Sequence, residues 1–147
     1  MIIESIVSTV NTEQLKDSSL TPDRLNELAY DRLADAKVLF KNKRYDGAFY
    51  ICGYAVEMGL KYKICKTLDW DEYPRSGKGQ EAHKSFRTHK LEDLLHYSGA
   101  KKQKNLFFAE WSIVTKWDPE IRYSSLKQTP EDVKLMIEAA ETILGKL

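Results

Sequence analysis

The sequence contains no apolar run near the roughly 20 residues that a membrane span requires. Its first ten residues lack the basic start and the long apolar stretch of a secretion signal, so we expect a cytoplasmic protein without membrane contact. An excess of charge is also lacking, because 23 Lys and Arg residues oppose 22 Asp and Glu residues and leave a net charge of +1. This balance excludes whole-molecule attraction to nucleic acid, which would therefore need a local patch.

Cysteine and histidine are scarce. Cys52 and Cys65 fall on one predicted helix, about 20 Å apart at 1.5 Å per residue, so they cannot form a disulfide. His83, His89 and His96 are separated by loop-like sequence and have no nearby cysteine, so we expect no metal. The Gly-Lys-Gly at 77–79 lacks the spacing of a phosphate-binding loop, and we expect no cofactor.

Helix-start signals and helical periodicity account for most of the chain after residue 20. A threonine, a proline and an acidic residue follow one another at 21–23 and again at 129–131, which is typical of a capped helix start. We predict helices at about 22–42, 45–66, 91–97, 101–116 and 130–144, and no strand pattern of convincing length. The prediction is an all-α, up-and-down bundle of four to five helices at 21–147, after an N-terminal arm or short helix at 1–20.

The predicted helix at 45–66 is apolar on two flanks, which places it in the middle of the bundle. Between the flanks runs a strip about 60° wide, at 100° per residue, that holds Tyr50, Tyr54, Glu57 and Lys61. Glu57 precedes Lys61 by four positions, the order that lets the two charges meet on a helix. In the later helix at 101–116 we expect these side chains to face inward: Leu106, Phe107, Trp111, Ile113 and Val114.

Two interpretations of the strip stay open. The charges form a structural salt bridge at the seam between helices, since ion pairs of this kind occur without any activity. Alternatively the strip is one wall of a polar groove, in which Tyr50 and Tyr54 donate hydroxyl hydrogens and the charges orient a ligand or a second subunit. A buried charge without a partner is costly, so the strip must face water, a partner chain or another polar group.

Arg122 is a second candidate, because it follows the break expected at Asp118 and Pro119. Its planar guanidinium suits a phosphate or a carboxylate, and Glu57 is a candidate partner inside the bundle. The alternative is an arginine that binds backbone carbonyls at a helix end.

The connector at 69–90 is turn-rich and basic. Its cations, with Lys101, Lys102 and Lys104 as an extension, suit a phosphate backbone, whereas the alternative is a solvated loop. This predicted basic patch consists of Arg75, Lys78, Lys84, Arg87 and Lys90.

Several segments resemble the HEPN domain family (higher eukaryote and prokaryote nucleotide-binding). They are AKVLF at 36–40, RYDGAFY at 44–50 and YAVEMGLK at 54–61, followed by THKL at 88–91 and IRY at 121–123. The resemblance covers most of residues 25–123. It implies a helical bundle that pairs as a homodimer, with the polar strip near the two-fold axis. It also implies a role as a nucleotide-binding module, an RNA-cleaving toxin, or the companion of a nucleotidyltransferase in a toxin–antitoxin or defence system.

The ribonuclease members of that family share an arginine followed, after four to six residues, by a histidine. In this sequence no histidine follows Arg122, and the spacings from Arg75 to His83 and from Arg87 to His89 do not fit. The first hypothesis is therefore a homodimeric HEPN-like module that is not catalytic. It binds a nucleotide, RNA or a nucleotidyltransferase partner through a ligand or dimer groove of Tyr50, Tyr54, Glu57, Lys61, Arg122 and Tyr123.

Two alternatives come from other functional classes. One is a divergent, metal-independent endoribonuclease toxin, whose catalytic candidates are Arg122, Glu57 and His89, since such cleavage needs a proton acceptor beside the attacking hydroxyl. The other is a structural dimerisation module, in which Glu57 and Lys61 form a pair at the dimer seam and bind no ligand.

Overall fold

The computed structural model describes residues 19–74, 81–125 and 127–147. These residues form five α-helices, three 3-10 helices and no β-strand, and the helices pack around one apolar core. The predicted all-α bundle is therefore confirmed. The α-helices are α1 (Pro22–Lys41), α2 (Tyr45–Leu68), α3 (Leu91–Ser98), α4 (Phe108–Val114) and α5 (Pro130–Lys146). The 3-10 helices are Glu81–Phe86, Ala100–Phe107 and Pro119–Tyr123.

Some predictions fall on residues that the structure leaves undescribed. Residues 1–18, which make up most of the predicted N-terminal arm, are among them, and so are Arg75 and Lys78 of the predicted basic patch. Among the helices that are described, none is both long and apolar enough to span a membrane.

The predicted helix starts are confirmed at both ends of the bundle. The Thr21 side chain accepts a hydrogen bond from the backbone N–H of Arg24 at 3.2 Å, and the Thr129 side chain accepts one from Asp132 at 3.1 Å. Each bond satisfies an amide that the first helical turn leaves without a partner. These caps fix where α1 and α5 begin.

Helix α2 is the central helix, as predicted, and α1, α3 and α5 pack against it. Both of its flanks are buried, because apolar side chains occur on two sides of the helix. Cys52 and Cys65 are both free and buried, in agreement with the prediction that they do not pair. Burial raises the pKa of the Cys52 thiol to about 12 and that of Cys65 to about 11, so both stay protonated at neutral pH.

The single helix predicted at 101–116 is wrong. Gly99 ends α3 at a φ of +74°, and the chain continues as the 3-10 helix Ala100–Phe107 before α4 begins. A 3-10 helix has three residues per turn instead of 3.6, so its side chains leave the faces that α-helical periodicity assigns. Leu106, predicted to face inward, is consequently 66% exposed, whereas Phe107 is buried as predicted. Trp111 and Val114 are buried as predicted, and Ile113 is half-buried.

The described part of the connector is tied to the bundle by aromatic side chains. Tyr73 is buried, its hydroxyl donates to the carbonyl of Phe86, and its backbone N–H donates to the carbonyl of Leu20 at 2.9 Å. Trp70 and Phe86 lie edge-on to each other with ring centroids 4.9 Å apart. This aromatic packing holds the two ends of the connector against α2 and α3. A purely solvated loop would lack such contacts.

Candidate functional site

Glu57 is a buried carboxylate with two partners. Its side chain is only 1% exposed, and its Oε2 accepts from Lys61 Nζ at 3.2 Å. Its Oε1 lies 2.6 Å from His89 Nδ1. The predicted Glu57–Lys61 pair therefore exists, and both carboxylate oxygens are occupied by nitrogen donors. A charge removed from water to this extent is tolerated because such partners replace its hydration.

Lys61 is covered by the connector. Its Nζ lies 5.2 Å from the centroid of the Tyr73 ring, within the range of a cation–π interaction, and its side chain is 11% exposed. The Glu57–Lys61 end of the strip thus faces polar and aromatic groups of the same chain. At this end the strip faces another polar group, His89, which is one of the three surroundings that the sequence left open.

His89 joins the buried carboxylate to the surface. With Glu57 as a carboxylate, which can only accept, the Nδ1–H group of His89 is the donor of this hydrogen bond. The side chain is nevertheless 59% exposed, and its ring lies edge-on to Tyr54 with centroids 6.4 Å apart. In the neutral ring Nε2 keeps its lone pair, which makes His89 an oriented acceptor or base beside Tyr54.

Tyr50 and Tyr54 form the other end of the strip. Their hydroxyl oxygens lie 3.2 Å apart. Burial, reinforced by the Tyr50 hydroxyl, raises the pKa of Tyr54 to about 12. The pKa of Tyr50 is lowered, first by Tyr54 and then by the nearby Arg122 guanidinium. Both directions agree with Tyr54 donating its hydrogen to Tyr50.

Arg122 sits at the end of the 3-10 helix Pro119–Tyr123. Asp118 begins this helix, because its Oδ1 accepts from the backbone N–H of Glu120 at 2.8 Å. The Arg122 guanidinium lies 4.7 Å from the centroid of the Tyr123 ring and has Nη2 3.9 Å from Glu120 Oε1. Its pKa is raised above the ordinary value, first by Tyr123 and then by Tyr50. The expected pairing of Arg122 with Glu57 is wrong, since Lys61 and His89 occupy that carboxylate.

Trp117 fixes the segment that carries Arg122. Its indole N–H donates to the carbonyl of Tyr50 at 3.0 Å, and its ring lies edge-on to Tyr54 at 5.0 Å. The ring can approach α2 this closely because Gly53 has no side chain. A Cβ at Gly53 would lie 2.0 Å from a ring atom of Trp117. Sequence reasoning missed this contact, whose signal is a tryptophan directly before the Asp-Pro break.

Side chains of α2, of the segment before α3 and of the segment around the 3-10 helix Pro119–Tyr123 line an open groove of about 350 Å³, which we call the His89 groove. Cations, a phenol and an imidazole converge here, although two carboxylates, Asp118 and Glu120, also line it. The lining residues that bear on ligand binding are Tyr54, Arg87, His89, Lys90 and Arg122.

The structure thus brings together part of the predicted site. Of the predicted basic patch, Arg87 and Lys90 line the His89 groove, whereas Lys84 is exposed outside it. Glu57 and Lys61 do not line the groove. Glu57 contacts the lining residue His89, and Lys61 contacts Glu57. Tyr123 is 73% exposed beside Arg122.

Comparisons of this chain with protein-family models, with curated proteins and with solved structures found no match. The fold and the site themselves define the class: an all-α bundle whose central helix carries a buried acid–base cluster beneath an open, cation-lined groove.

Proposed function

We propose that this chain is a HEPN-like homodimeric module whose His89 groove binds the phosphate group of a nucleotide or of RNA. The observation that carries the proposal is the convergence of Arg87, Lys90 and Arg122 on one groove of a protein whose net charge is only +1. Against the carboxylates of Asp118 and Glu120 these three cations leave a small excess of positive charge in the groove, and local positive charge attracts phosphate.

The groove offers a phosphate several hydrogen-bond donors of fixed position. Trp117 holds the segment before Arg122 against α2, and Tyr50 contacts the guanidinium. An arginine positioned in this way can bind two phosphate oxygens at once, which a mobile surface lysine cannot do. His89 is oriented by Glu57 and can add a further contact. Glu120 holds Arg122 only weakly, at 3.9 Å, so a phosphate can displace it.

The test is binding of adenosine monophosphate and of a fluorescein-labelled single-stranded RNA octamer. We expect Arg122→Ala to weaken binding of both probes by about tenfold or more, as for loss of a charged hydrogen bond. The matched control is Lys66→Ala, which removes one exposed cation near the opposite end of α2. The proposal fails if the unaltered protein binds neither probe, or if Arg122→Ala binds both as tightly as the control does.

The proposed homodimer and the proposed nucleotidyltransferase partner, in a toxin–antitoxin or defence system, rest on the resemblance of the sequence segments. Sedimentation equilibrium of the purified chain tests the dimer, with a monomer at micromolar concentration as the contradicting result. If Glu57→Ala dissociates the dimer while probe binding is unchanged, a structural dimerisation module is the better description.

A second candidate function is metal-independent RNA cleavage, which the 2.6 Å contact between Glu57 and His89 favours. In that reaction His89 Nε2 takes the proton of a ribose 2′-hydroxyl, and the 2′-oxygen bonds to phosphorus. The bond to the 5′-oxygen breaks, which leaves a 2′,3′-cyclic phosphate and, after protonation, a 5′-hydroxyl. Arg122 would stabilise the charge that develops on the phosphate oxygens.

Incubating the protein with total RNA in the presence of EDTA tests this second function. Cleavage that disappears in His89→Ala and persists in Lys66→Ala supports it. Intact RNA under conditions in which the octamer is bound contradicts cleavage and leaves the binding proposal in place.

A further inference from the structure

Arg122 separates the His89 groove from a second cavity. This second cavity, also about 350 Å³, is lined on its far side by Tyr50, Lys127 and Gln128, and we call it the Lys127 cavity. A third cavity, of about 470 Å³, shares Asp46, Lys127 and Gln128 with it and adds Lys43 and Arg44. The His89 groove thus shares Arg122 with the Lys127 cavity, and the Lys127 cavity shares lining residues with the third cavity. The three cavities therefore follow one another in series, and we call this series the trough.

Each of the three cavities has cations in its lining, although Asp118 and Glu120 also line the His89 groove and Asp46 lines the other two cavities. Arg87 and Lys90 lie in the His89 groove, Arg122 lies at the first boundary and Lys127 at the second. Lys43 and Arg44 continue the series in the third cavity. A ligand with a single phosphate can neutralise only the cations of one cavity. A trough lined in this way suits a chain of phosphates.

The carboxylate in the middle of the trough is largely neutralised. Asp46 Oδ1 accepts from the backbone N–H of Gln128 at 2.8 Å, and Oδ2 lies 3.4 Å from Lys127 Nζ. The hydrogen bond from Gln128 is the main cause of the lowered pKa of Asp46, and Lys127 adds to it. The negative charge is thus satisfied by the protein. Lys127 itself is 88% exposed and can turn towards a ligand.

One exposed aromatic ring, that of Tyr123, favours a single-stranded nucleic acid over an acidic peptide and over a duplex. Tyr123 follows Arg122 in the chain and is exposed, and Arg122, which lines both smaller cavities, lies over one face of its ring. An exposed ring beside a cationic track is the arrangement on which unpaired bases stack, and Arg122 can add a cation–π contact. An acidic peptide makes no comparable use of such a ring. A duplex keeps its bases stacked internally and cannot present one to Tyr123.

From the series of adjoining cavities and the exposed ring we infer that the ligand is a single-stranded nucleic acid that crosses Arg122, with successive phosphates in the His89 groove and the Lys127 cavity and a base stacked on Tyr123. This inference rests on the proposed function, because it extends the ligand of the same groove. It assigns Lys127 and Tyr123 as residues that recognise a strand and not a mononucleotide.

The experiment compares four probes: adenosine monophosphate, the RNA octamer, a DNA octamer of the same sequence, and an RNA duplex of eight base pairs. We expect the octamers to bind at least tenfold more tightly than the mononucleotide or the duplex. Lys127→Ala should weaken octamer binding by about threefold or more and reduce the dependence of log Kd on log salt by about 0.7, the value for one lost phosphate contact on a single strand. Binding of the mononucleotide should not change.

Tyr123→Ala is the second variant, and it should weaken octamer binding by about fivefold or more through lost stacking, again without effect on the mononucleotide. Lys66→Ala serves as the control for both. Equal binding of the two octamers means that the 2′-hydroxyl is not recognised, whereas preference for RNA places it in the trough. Both results support a strand.

The outcomes separate this inference from the proposed function. If the mononucleotide binds as tightly as the octamers and Lys127→Ala changes neither, the strand is excluded and the phosphate site survives. If the duplex binds as tightly as the single strands, the stacking role of Tyr123 is excluded. If no probe binds, the proposed function and this inference fail together.

Discussion

The two ends of the polar strip on α2 differ although they lie on the same helix face. At one end Glu57 and Lys61 are buried under His89 and the ring of Tyr73. One turn away, Tyr54 lines an open groove, and Tyr50 lines the cavity beyond Arg122. The difference comes from what covers each end, because the strip itself is continuous. We expect the covered end to determine stability and the open end to determine ligand binding.

The largest effect is expected at the covered end. Glu57→Ala leaves the Lys61 ammonium buried without its partner and should lower the free energy of unfolding by about 3–5 kcal/mol. Urea denaturation followed by circular dichroism measures it. Adding Lys61→Met to Glu57→Ala should recover part of the loss, because an apolar side chain needs no counter-charge.

Glu120→Ala is the control for this prediction, since Glu120 is an exposed carboxylate at the open end, and it should change stability by about 0.5 kcal/mol or less. If Glu57→Ala were as mild as Glu120→Ala, the distinction between the two ends would be wrong.

The next largest effect is expected at the contact between Trp117 and Gly53 on α2. Gly53→Ala puts a methyl group into the Trp117 ring and should cost about 1–3 kcal/mol, with a matching loss of octamer binding as Arg122 loses its support. Gly145→Ala is the matched control, because no atom lies within 4 Å of the added Cβ. In a helix that change should stabilise by up to about 1 kcal/mol. Equal melting temperatures for the two variants would contradict the close approach of Trp117.

Alkaline pH should lower the free energy of unfolding through the two buried cysteines of the core. Burial raises the pKa of Cys52 from 9.0 to about 12 and that of Cys65 from 9.0 to about 11, whereas the unfolded thiols ionise near their ordinary value. Above pH 9 the unfolded chain therefore binds fewer protons than the folded one, and the free energy of unfolding falls as pH rises. For Cys52 the loss is about 1.4 kcal/mol per pH unit between the two pKa values.

Urea denaturation between pH 8 and pH 10.5 measures this slope. Cys52→Ala, compared with the unaltered protein, should show a shallower dependence even though it is less stable at pH 8. A stability that stays constant over this range would mean that the thiols are not buried.

The smallest effect on stability is expected at the open end. Arg122→Ala and Tyr123→Ala remove largely exposed side chains whose contacts lie at the surface, so each should shift the melting temperature by only about 2 °C or less. Thermal unfolding measures this, and a melting temperature lowered by more than about 5 °C in either variant would show that the open end also supports the fold. The same two variants are expected to bind the probes more weakly. The residues that determine binding should therefore differ from those that determine stability.

Several features could be predicted because they depend on residues close together in the chain. The caps at Thr21 and Thr129 need only the residues of the first turn, and the Glu57–Lys61 pair needs only one helical turn. The central position of α2 followed from its two apolar flanks. The 3-10 helix Ala100–Phe107 was missed because no apolar residue lies between Ala100 and Leu106, so the segment has no hydrophobic period from which its helix type could be read.

The candidate site could be predicted only in part. The sequence named Arg122, Glu57 and His89 as candidates, and the structure brings His89 to Glu57 but gives Arg122 other partners. Trp117 and Tyr73 were missed, because an aromatic residue in a loop gives no sign of which helix it will contact. Gly53 gave no sign either, since its role depends on a ring 64 positions away in the sequence.

By itself the sequence determined where the long helices begin, which of them is buried on two sides, and which polar residues share its narrow polar strip. These properties follow from hydrogen bonds and side-chain periodicity within a few turns. Only the tertiary structure decided that one end of the strip is covered and the other open. That outcome depends on His89, Tyr73 and Trp117, which are distant in sequence and meet α2 only when apolar burial has folded the chain.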